Sequence, residues 1–207
     1  MREITPDDLA SAQGVWVWDL GNQVLYDLCR SHFTHSSDGE IVAKVWLIGR
    51  SYAASIERRR NKKDGAGDFY AGTVAPAVRR SDIDRWLAEV SRPGAPGAPE
   101  TIITHKPLMD LFKSLTDLDK RSLASKYLHF HVPDRFFIYD SLARRAITKL
   151  VPRLNRIPNI PAAEHDQEYK DFVRRCVWLR QHISDRHDVS LTPRQIDKLL
   201  LATAGET

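Results

Sequence analysis

Ser122-Leu123-Ala124-Ser125-Lys126-Tyr127-Leu128-His129-Phe130-His131-Val132-Pro133-Asp134-Arg135-Phe136-Phe137-Ile138-Tyr139-Asp140-Ser141 is the stretch on which the reading of this chain turns. Its first part has helical spacing: Leu123, Tyr127 and Phe130 fall within one narrow arc, the core face. Lys126 projects beside Phe130, at the border of that face. A turn follows at His131 to Arg135, then the apolar run Phe136 to Tyr139, then Asp140 at the start of an amphipathic helix carrying Leu142, Ala146, Ile147 and Leu150. Taken singly, each of these residues reads as structure. Lys126 is a lysine whose stem lies on apolar surface while its amine reaches water. Asp140 is a helix N-cap. Phe136, Phe137, Tyr139 and His129 are core. Taken together they allow chemistry. A lysine at an apolar border has a partly desolvated amine, so its pKa falls and its nucleophilicity at neutral pH rises. A carboxylate held at a helix start in aromatic surroundings can stabilise a nearby cation or orient a water.

Outward from this stretch the apolar spacing is helical almost everywhere. The one run with strand character is Val15-Trp16-Val17-Trp18, between Gly14 and Gly21. Thr5-Pro6-Asp7-Asp8 reads as a cap, a proline in the first turn and acidic residues suited to the dipole. A helix over Asp19 to His32 would bury Leu20, Val24, Leu25 and Leu28. A long helix over Glu40 to Arg60 would bury Val42, Val45, Trp46, Ile48, Tyr52 and Ile56, with Gly49 marking a kink or a close approach. Ser81 caps a helix holding Ile83, Trp86, Leu87 and Val90. Arg92-Pro93-Gly94-Ala95-Pro96-Gly97-Ala98-Pro99 cannot be regular helix and reads as a linker. Beyond it, helices are expected over Ile102 to Leu115 (bent at Pro107), Leu118 to Phe130, from near Asp140, over His165 to His182, and from Thr192-Pro193. The expectation is an all-α chain forming one domain over 1–207, with lobes 1–91 and 100–207 joined by 92–99.

The 207 residues are 42% hydrophobic and 28% charged, with a formal net charge of +4. That composition is globular and favours polyanionic partners only mildly. The distribution says more. Arg58, Arg59, Arg60, Lys62 and Lys63 crowd into six positions, and Arg144, Arg145, Lys149, Arg153 and Arg156 form a second set; each set can neutralise phosphates, or can be an ordinary solvated surface. No apolar run has the length of a membrane span, and the N-terminal residues lack the apolar stretch of a signal peptide. The two cysteines, Cys29 and Cys176, sit in apolar helical contexts and read as buried thiols. A cytoplasmic monomer is expected. His129 and His131, two apart on a helix, point away from each other, and no metal or cofactor is implied. Phosphate-binding glycine loops and the serine-nucleophile motif are absent from the sequence.

The stretch from 122 to 141 resembles the helix-hairpin-helix DNA glycosylases, in particular the 8-oxoguanine-glycosylase-like branch. In that family a Gly-x-Gly-x-Lys hairpin leads into the helix bearing the catalytic lysine, and an aspartate opens the next helix. Ser122-Leu123-Ala124-Ser125-Lys126 is similar to that hairpin with small residues in place of the glycines, and Ile138-Tyr139-Asp140-Ser141 to the aspartate segment. The separation from 126 to 140 is a few residues shorter than in the archetypes. The likeness is close over about 20 residues and loose over about 40. The segment Trp46 to Ser55, including Arg50, also looks like part of this branch. The resemblance implies a two-lobed helical fold with a cleft between the lobes, and excision from double-stranded DNA of a damaged or modified base, either an oxidised purine or a hypermodified base such as in phage DNA, leaving an abasic site. The flipped base would lie among Tyr52, Trp46, His129, Phe136, Phe137 and Tyr139. Phosphate contacts would come from Ser122 and Ser125 of the hairpin and from Arg50, Arg58, Arg59, Arg60, Lys62, Lys63, Arg144 and Arg145. Lys126 and Asp140 would be the catalytic pair. Without the hairpin glycines, backbone amides approach a phosphate less freely, so the basic runs would carry more of the affinity. No four-cysteine iron–sulfur site is present. Two other classes compete: a helical DNA- or RNA-binding module that keeps the scaffold without the chemistry, and a helical protein-interaction domain.

Overall fold

A computed structural model describes residues 1–58 and 68–205, and among these it contains ten α-helices and no strand. They are α1 (Pro6–Gln13), α2 (Val17–Ser31), α3 (Asp38–Ser51), α4 (Ala75–Arg80), α5 (Ile83–Val90), α6 (Pro99–Thr116), α7 (Arg121–His131), α8 (Ser141–Leu150), α9 (Gln167–His187) and α10 (Pro193–Gly205). A π-helical turn, Tyr70–Val74, leads into α4. Among the described residues no helix is long and apolar enough to cross a membrane. Cys29 and Cys176 are free and buried.

Local chemistry explains several helix starts. Thr5 caps α1: its hydroxyl accepts from the Asp8 amide while the Asp8 carboxylate accepts from the Thr5 amide, a reciprocal capping box. Asp140 caps α8 through the Ala143 amide at 2.8 Å, and Asp166 caps α9 through the Tyr169 amide at 2.8 Å. The strand-like run at Val15–Trp18 becomes the start of α2, where Trp16 occupies the cap position and Asp19 accepts from its amide. Helix α3 does not continue to Arg60. It stops at Ser51, and Ala53 turns the chain with a φ of 50°. Gly49 permits this, because a Cβ there would stand 3.1 Å from the Ser55 Cα. Close approach, not a kink, is its role. Helix α7 begins at Arg121 instead of Leu118. The α6–α7 turn, with Asp117 at φ 58°, therefore lies ahead of Ser122–Lys126, which occupy the first turns of α7.

The apolar interior gathers into two clusters. One joins α1 to α8, α9 and α10, with Ile102, Phe137 and Tyr139. The other joins α2 to α7, with Phe69 and Phe136. Neither coincides with the lobes 1–91 and 100–207: α1 packs with the C-terminal helices, and α6 and α7 bury Phe112, Leu123 and Tyr127 with the N-terminal ones. Phe136 enters one core and its neighbour Phe137 the other. This alternation is the behaviour of extended backbone, whose successive side chains point to opposite sides.

The Pro/Gly/Ala segment 92–99 is a clamp and not a free linker. The buried Arg135 guanidinium donates to the carbonyls of Val90 (3.1 Å), Arg92 and Ala95 (3.3 Å) and pairs with Glu100. The Gly97 amide donates to the Arg135 carbonyl at 2.9 Å. Gly97 has a φ of +72° and packs where a Cβ would meet Val173, Val177 and Phe137. The segment thus pins the turn that precedes Phe136.

Four buried histidines make an expected acid sensitivity. Burial, before other influences, lowers His35, His105 and His129 from 6.5 to about 4 and His131 well below its ordinary value. The neutral form is favoured only when folded, so their stabilisation is present above pH 6.5 and lost as pH falls toward 4. Each histidine that must stay neutral costs about 2 kcal/mol at pH 5. Asp197, raised by burial to about 6, opposes this over part of the range. The melting temperature should fall by at least about 4 °C between pH 7 and pH 5. A flat or rising profile in calorimetry contradicts the assignment of neutral buried imidazoles.

Candidate active site

Lys126 lies in α7, one residue beyond Ser125, and both are buried. The Ser125 hydroxyl faces the extended segment 136–139. It accepts from the Tyr139 amide at 3.0 Å and also lies near the Ser122 carbonyl (3.0 Å) and the Tyr139 carbonyl (3.3 Å). This tie fixes the backbone immediately before Asp140 against the turn of α7 that carries Lys126. Asp140 then reaches back with one oxygen on its own helix, through the Ala143 amide, and the other 3.6 Å from the Lys126 Nζ. The cap and the ion partner are one residue with two oxygens in two roles.

The Lys126 side chain is 2% exposed and that of Asp140 24%. The amine also donates to the Ser122 hydroxyl at 2.8 Å and the Tyr52 carbonyl at 3.4 Å, and it stands 5.5 Å from the centre of the Tyr52 ring. Burial pulls the Lys126 pKa below its ordinary value, against the opposing pull of Asp140 and Asp197. Asp197, on α10, is buried, and burial raises its carboxyl to about 6; the Asp140 charge pushes the same way, while Arg194 and Lys126 push back. Asp197 pairs with Arg194, which reaches Asp19 at 3.1 Å, and Asp19 in turn accepts from Lys198 at 3.0 Å. The ion-paired series therefore runs from α10 to α2, and Asp197 acts on Lys126 through space.

Two concavities lie beside these groups. Ser122 and Ser141 line a cleft of about 500 Å³ with Arg58, Lys120 and Asp119. Tyr52, Asn22 and Arg194 line a larger cavity of about 680 Å³ with Trp16 and Trp18. Neither Lys126 nor Asp140 lines either space; the Lys126 amine meets them only through Ser122, which lines the smaller, and Tyr52, which lines the larger.

Lys126, Asp140, Tyr52 and Ser122 are thus brought together. The other base-pocket candidates are not. His129 is fully buried: its Nδ1 lies 2.8 Å from the Phe136 carbonyl and its Nε2 2.7 Å from the Tyr26 hydroxyl, so the imidazole is spent holding α7 to its neighbours. Phe136 and Phe137 fill the two cores. Tyr139 is buried, packs edge-on against Tyr169 and Phe172, and gives its hydroxyl to Glu168. Trp46 is 46% exposed and lines neither concavity. His129, Phe136, Phe137 and Tyr139 follow the core alternative, because the fold needed them to bury the segment that delivers Asp140; Trp46 follows neither reading, since the face of α3 that turns inward carries Ile41, Lys44, Val45 and Ile48. Among the phosphate candidates, Ser125 is sealed in its tie to Tyr139. Arg50 is exposed and pairs with Glu57, and Arg144 lies 3.4 Å from Glu168. Arg145 is exposed, and Arg58 faces the smaller cleft. Arg59, Arg60, Lys62 and Lys63 lie outside the described residues.

Sequence reasoning passed over Asn22, Asp19, Arg194, Asp197 and Lys198. The available signal was their spacing. Asp19 and Asn22 lie three apart on α2, and Arg194, Asp197 and Lys198 fall at helical spacing on α10, polar stripes on faces that turn inward. Taking Leu20 and Val24 as core hid the first stripe: both are exposed, and Asn22, Leu25 and Cys29 are the buried residues of α2. Among the described residues no group of three or more His, Cys, Asp or Glu side chains is placed to hold a metal ion. Comparisons with family models, with curated proteins and with solved structures find no match for this chain.

Ser125→Ala removes the tie and leaves the Tyr139 amide unpaired in the interior. The expected loss is about 1–3 kcal/mol of unfolding free energy, read from urea denaturation. A Ser125→Ala protein as stable as the parent would show that the tie is not what positions Asp140.

Proposed function

We propose that this chain is a DNA glycosylase of the helix-hairpin-helix kind, excising a modified base and leaving an abasic site. One observation carries the reading: a nearly sealed lysine amine whose pKa is lowered by burial lies 3.6 Å from a partly exposed carboxylate at a helix start, and its contacts Ser122 and Tyr52 each line a concavity. The two apolar cores then correspond to the two lobes of such a fold, with the pair between them. Duplex DNA would lie over Arg58 and the neighbouring cations, whose attraction to phosphate depends on salt. The target nucleotide must leave the stack, at a cost of a few kcal/mol.

In the reaction the C1′–N bond breaks and its electron pair leaves with the base, which takes up a proton. The sugar becomes cationic, and the Asp140 carboxylate stabilises that charge electrostatically. Either water or the neutral Lys126 amine forms the new bond at C1′. Attack by water gives an abasic sugar; attack by the amine gives, after ring opening, a Schiff base that allows strand cleavage. The lowered amine pKa favours the second route, because only the unprotonated amine has a lone pair to give. Tyr52 covers the amine and must move aside for C1′ to approach.

The test is a panel of duplexes with modified bases, treated with protein and then with heat or alkali. The parent should release a base and leave heat-labile strands. Asp140→Asn keeps the cap but loses the charge, and should slow release on the order of 10²–10³-fold. Lys126→Met keeps the apolar stem and should abolish borohydride trapping. Salt-sensitive DNA binding with no abasic product from any duplex would overturn the enzymatic reading and favour a binding module on the same scaffold.

A further inference from the structure

The Lys126 amine has two contacts that border open space. Tyr52 offers it a carbonyl and a ring face; Ser122 offers a hydroxyl. Ser122 lies four residues before Lys126 on α7, its Oγ is 2.8 Å from Nζ, and the residue lines the smaller cleft of about 500 Å³. Residues four apart on a helix share a face, so α7 by itself keeps hydroxyl and amine in contact. The amine is held from other sides by the Tyr52 carbonyl at 3.4 Å and the Asp140 carboxylate at 3.6 Å. A serine lining a cleft, an amine within hydrogen-bond reach of its hydroxyl and a carboxylate that orients the amine are the parts of an activated nucleophile.

The surroundings suit the negative oxygen that such a nucleophile creates. Ser122 stands in the first turn of α7, whose N-cap residue, Lys120, makes no side-chain cap bond. Lys120 lines the same cleft, and so does Ser141, the first residue of α8. The starts of two helices therefore border the cleft, and the positive ends of their dipoles favour negative charge there. Arg58 adds a cation, while the Asp119 carboxylate on the wall is 2.8 Å from the Lys113 amine. Ala53, Ala54, Leu118 and Leu123 give the cleft apolar surface for a short carbon chain. Burial draws the Lys126 pKa below its ordinary value, against the carboxylates of Asp140, ahead of α8, and Asp197, on α10. The unprotonated amine is thereby more abundant at neutral pH, and only that form can take a proton. In that form the hydrogen bond reverses, and the Ser122 hydroxyl donates to Nζ.

We propose that Ser122 is a nucleophile with Lys126 as its general base, and that this cleft hydrolyses short-chain carboxylic esters through an acyl-serine. The Ser122 hydroxyl gives its proton to the Lys126 amine as its oxygen adds to the acyl carbon, and the carbonyl oxygen takes up the electron pair of the broken π bond. When that pair returns, the bond from the acyl carbon to the alcohol oxygen breaks, and the Lys126 ammonium gives its proton to the departing alkoxide. Water, deprotonated by the same amine, adds to the acyl carbon in the second half. The acid leaves, and the proton returns from Lys126 to the Ser122 oxygen. This chemistry does not rest on the glycosylase reading. It needs Lys126 only as a base behind Ser122, so Tyr52 can stay where it is.

The experiment treats the full chain with a fluorophosphonate, locates the adduct by mass spectrometry, and follows hydrolysis of p-nitrophenyl acetate from neutral to alkaline pH. An adduct is expected on Ser122. Ser122→Ala should lose it, together with at least about 100-fold of ester turnover. In the parent, labelling and turnover should rise with pH to a plateau, with a midpoint below the ordinary lysine value of about 10.4. Asp140→Asn removes an anion that holds the proton on Lys126, so it should move that midpoint to lower pH. A serine with only a structural role would show neither the midpoint nor its shift. No adduct on Ser122, rates that climb with pH without a plateau, or undiminished turnover by Ser122→Ala overturns the proposal. The two readings fail separately. A Schiff base trapped on DNA with no Ser122 adduct sinks this one alone, and a Ser122 adduct with ester turnover but no base released from any duplex sinks the glycosylase alone.

Discussion

A buried hydroxyl governs the geometry of this molecule. Ser125 receives the Tyr139 amide across the junction of the two apolar cores. The segment 136–139 is extended, with Phe136 committed to one core and Phe137 and Tyr139 to the other. Such a segment has no hydrogen-bonded ladder to hold its register, so its backbone groups need partners from elsewhere. Ser125 supplies one at the C-terminal end. At the other end Arg135 is gripped by the carbonyls of the 90–95 stretch and by Glu100. Between these two anchors the chain has little freedom, and Asp140 emerges facing the Lys126 amine.

The charges around that amine are costly to bury. Taking an ion out of water is penalised by several kcal/mol even after relaxation, and mutual attraction repays this only with good geometry. Here the Lys126–Asp140 pair and the series Asp197, Arg194, Asp19 and Lys198 act on each other through space, and across both groups cations and anions balance. The balance is imperfect in detail. Burial leaves Asp197 near 6, Lys126 below its ordinary value, and atoms on Asn22, Arg194 and Asp197 without partners. Packing alone would be served as well by apolar residues.

The aromatic residues show how one signal can carry two meanings. His129, Phe136, Phe137 and Tyr139 stand beside the candidate pair in sequence, which made them candidates for holding a base. In space they build the platform beneath the pair, while the cavity takes its rings from Trp16, Trp18 and Tyr52. Adjacency along the chain places a residue within reach of a site but not on its open side. The same holds for α2. Its apolar residues Leu20 and Val24 are exposed, because Asp19 and Asn22 face α10 and the Tyr52 end of α3, and a helix can turn only one stripe inward.

The sequence by itself determined the helical class, the caps at Thr5 and Asp140, the turn after His131 and the buried thiols; the pairing of position 126 with position 140 was only what the glycosylase resemblance implied. Each of the former rests on short-range chemistry: 3.6-residue periodicity, side chains that satisfy nearby amides, and proline or glycine where helix cannot continue. Only the tertiary structure decided which helices share a core, that the 92–99 segment clamps Arg135, that α3 ends at Ser51, that Arg194 pairs with Asp197 and Asp19, and that Asn22 meets Tyr52. Those outcomes depend on contacts between residues as far apart as Asp19 and Lys198. No local pattern reports them, since a polar residue on a helix looks the same in sequence whether it meets water or a buried partner.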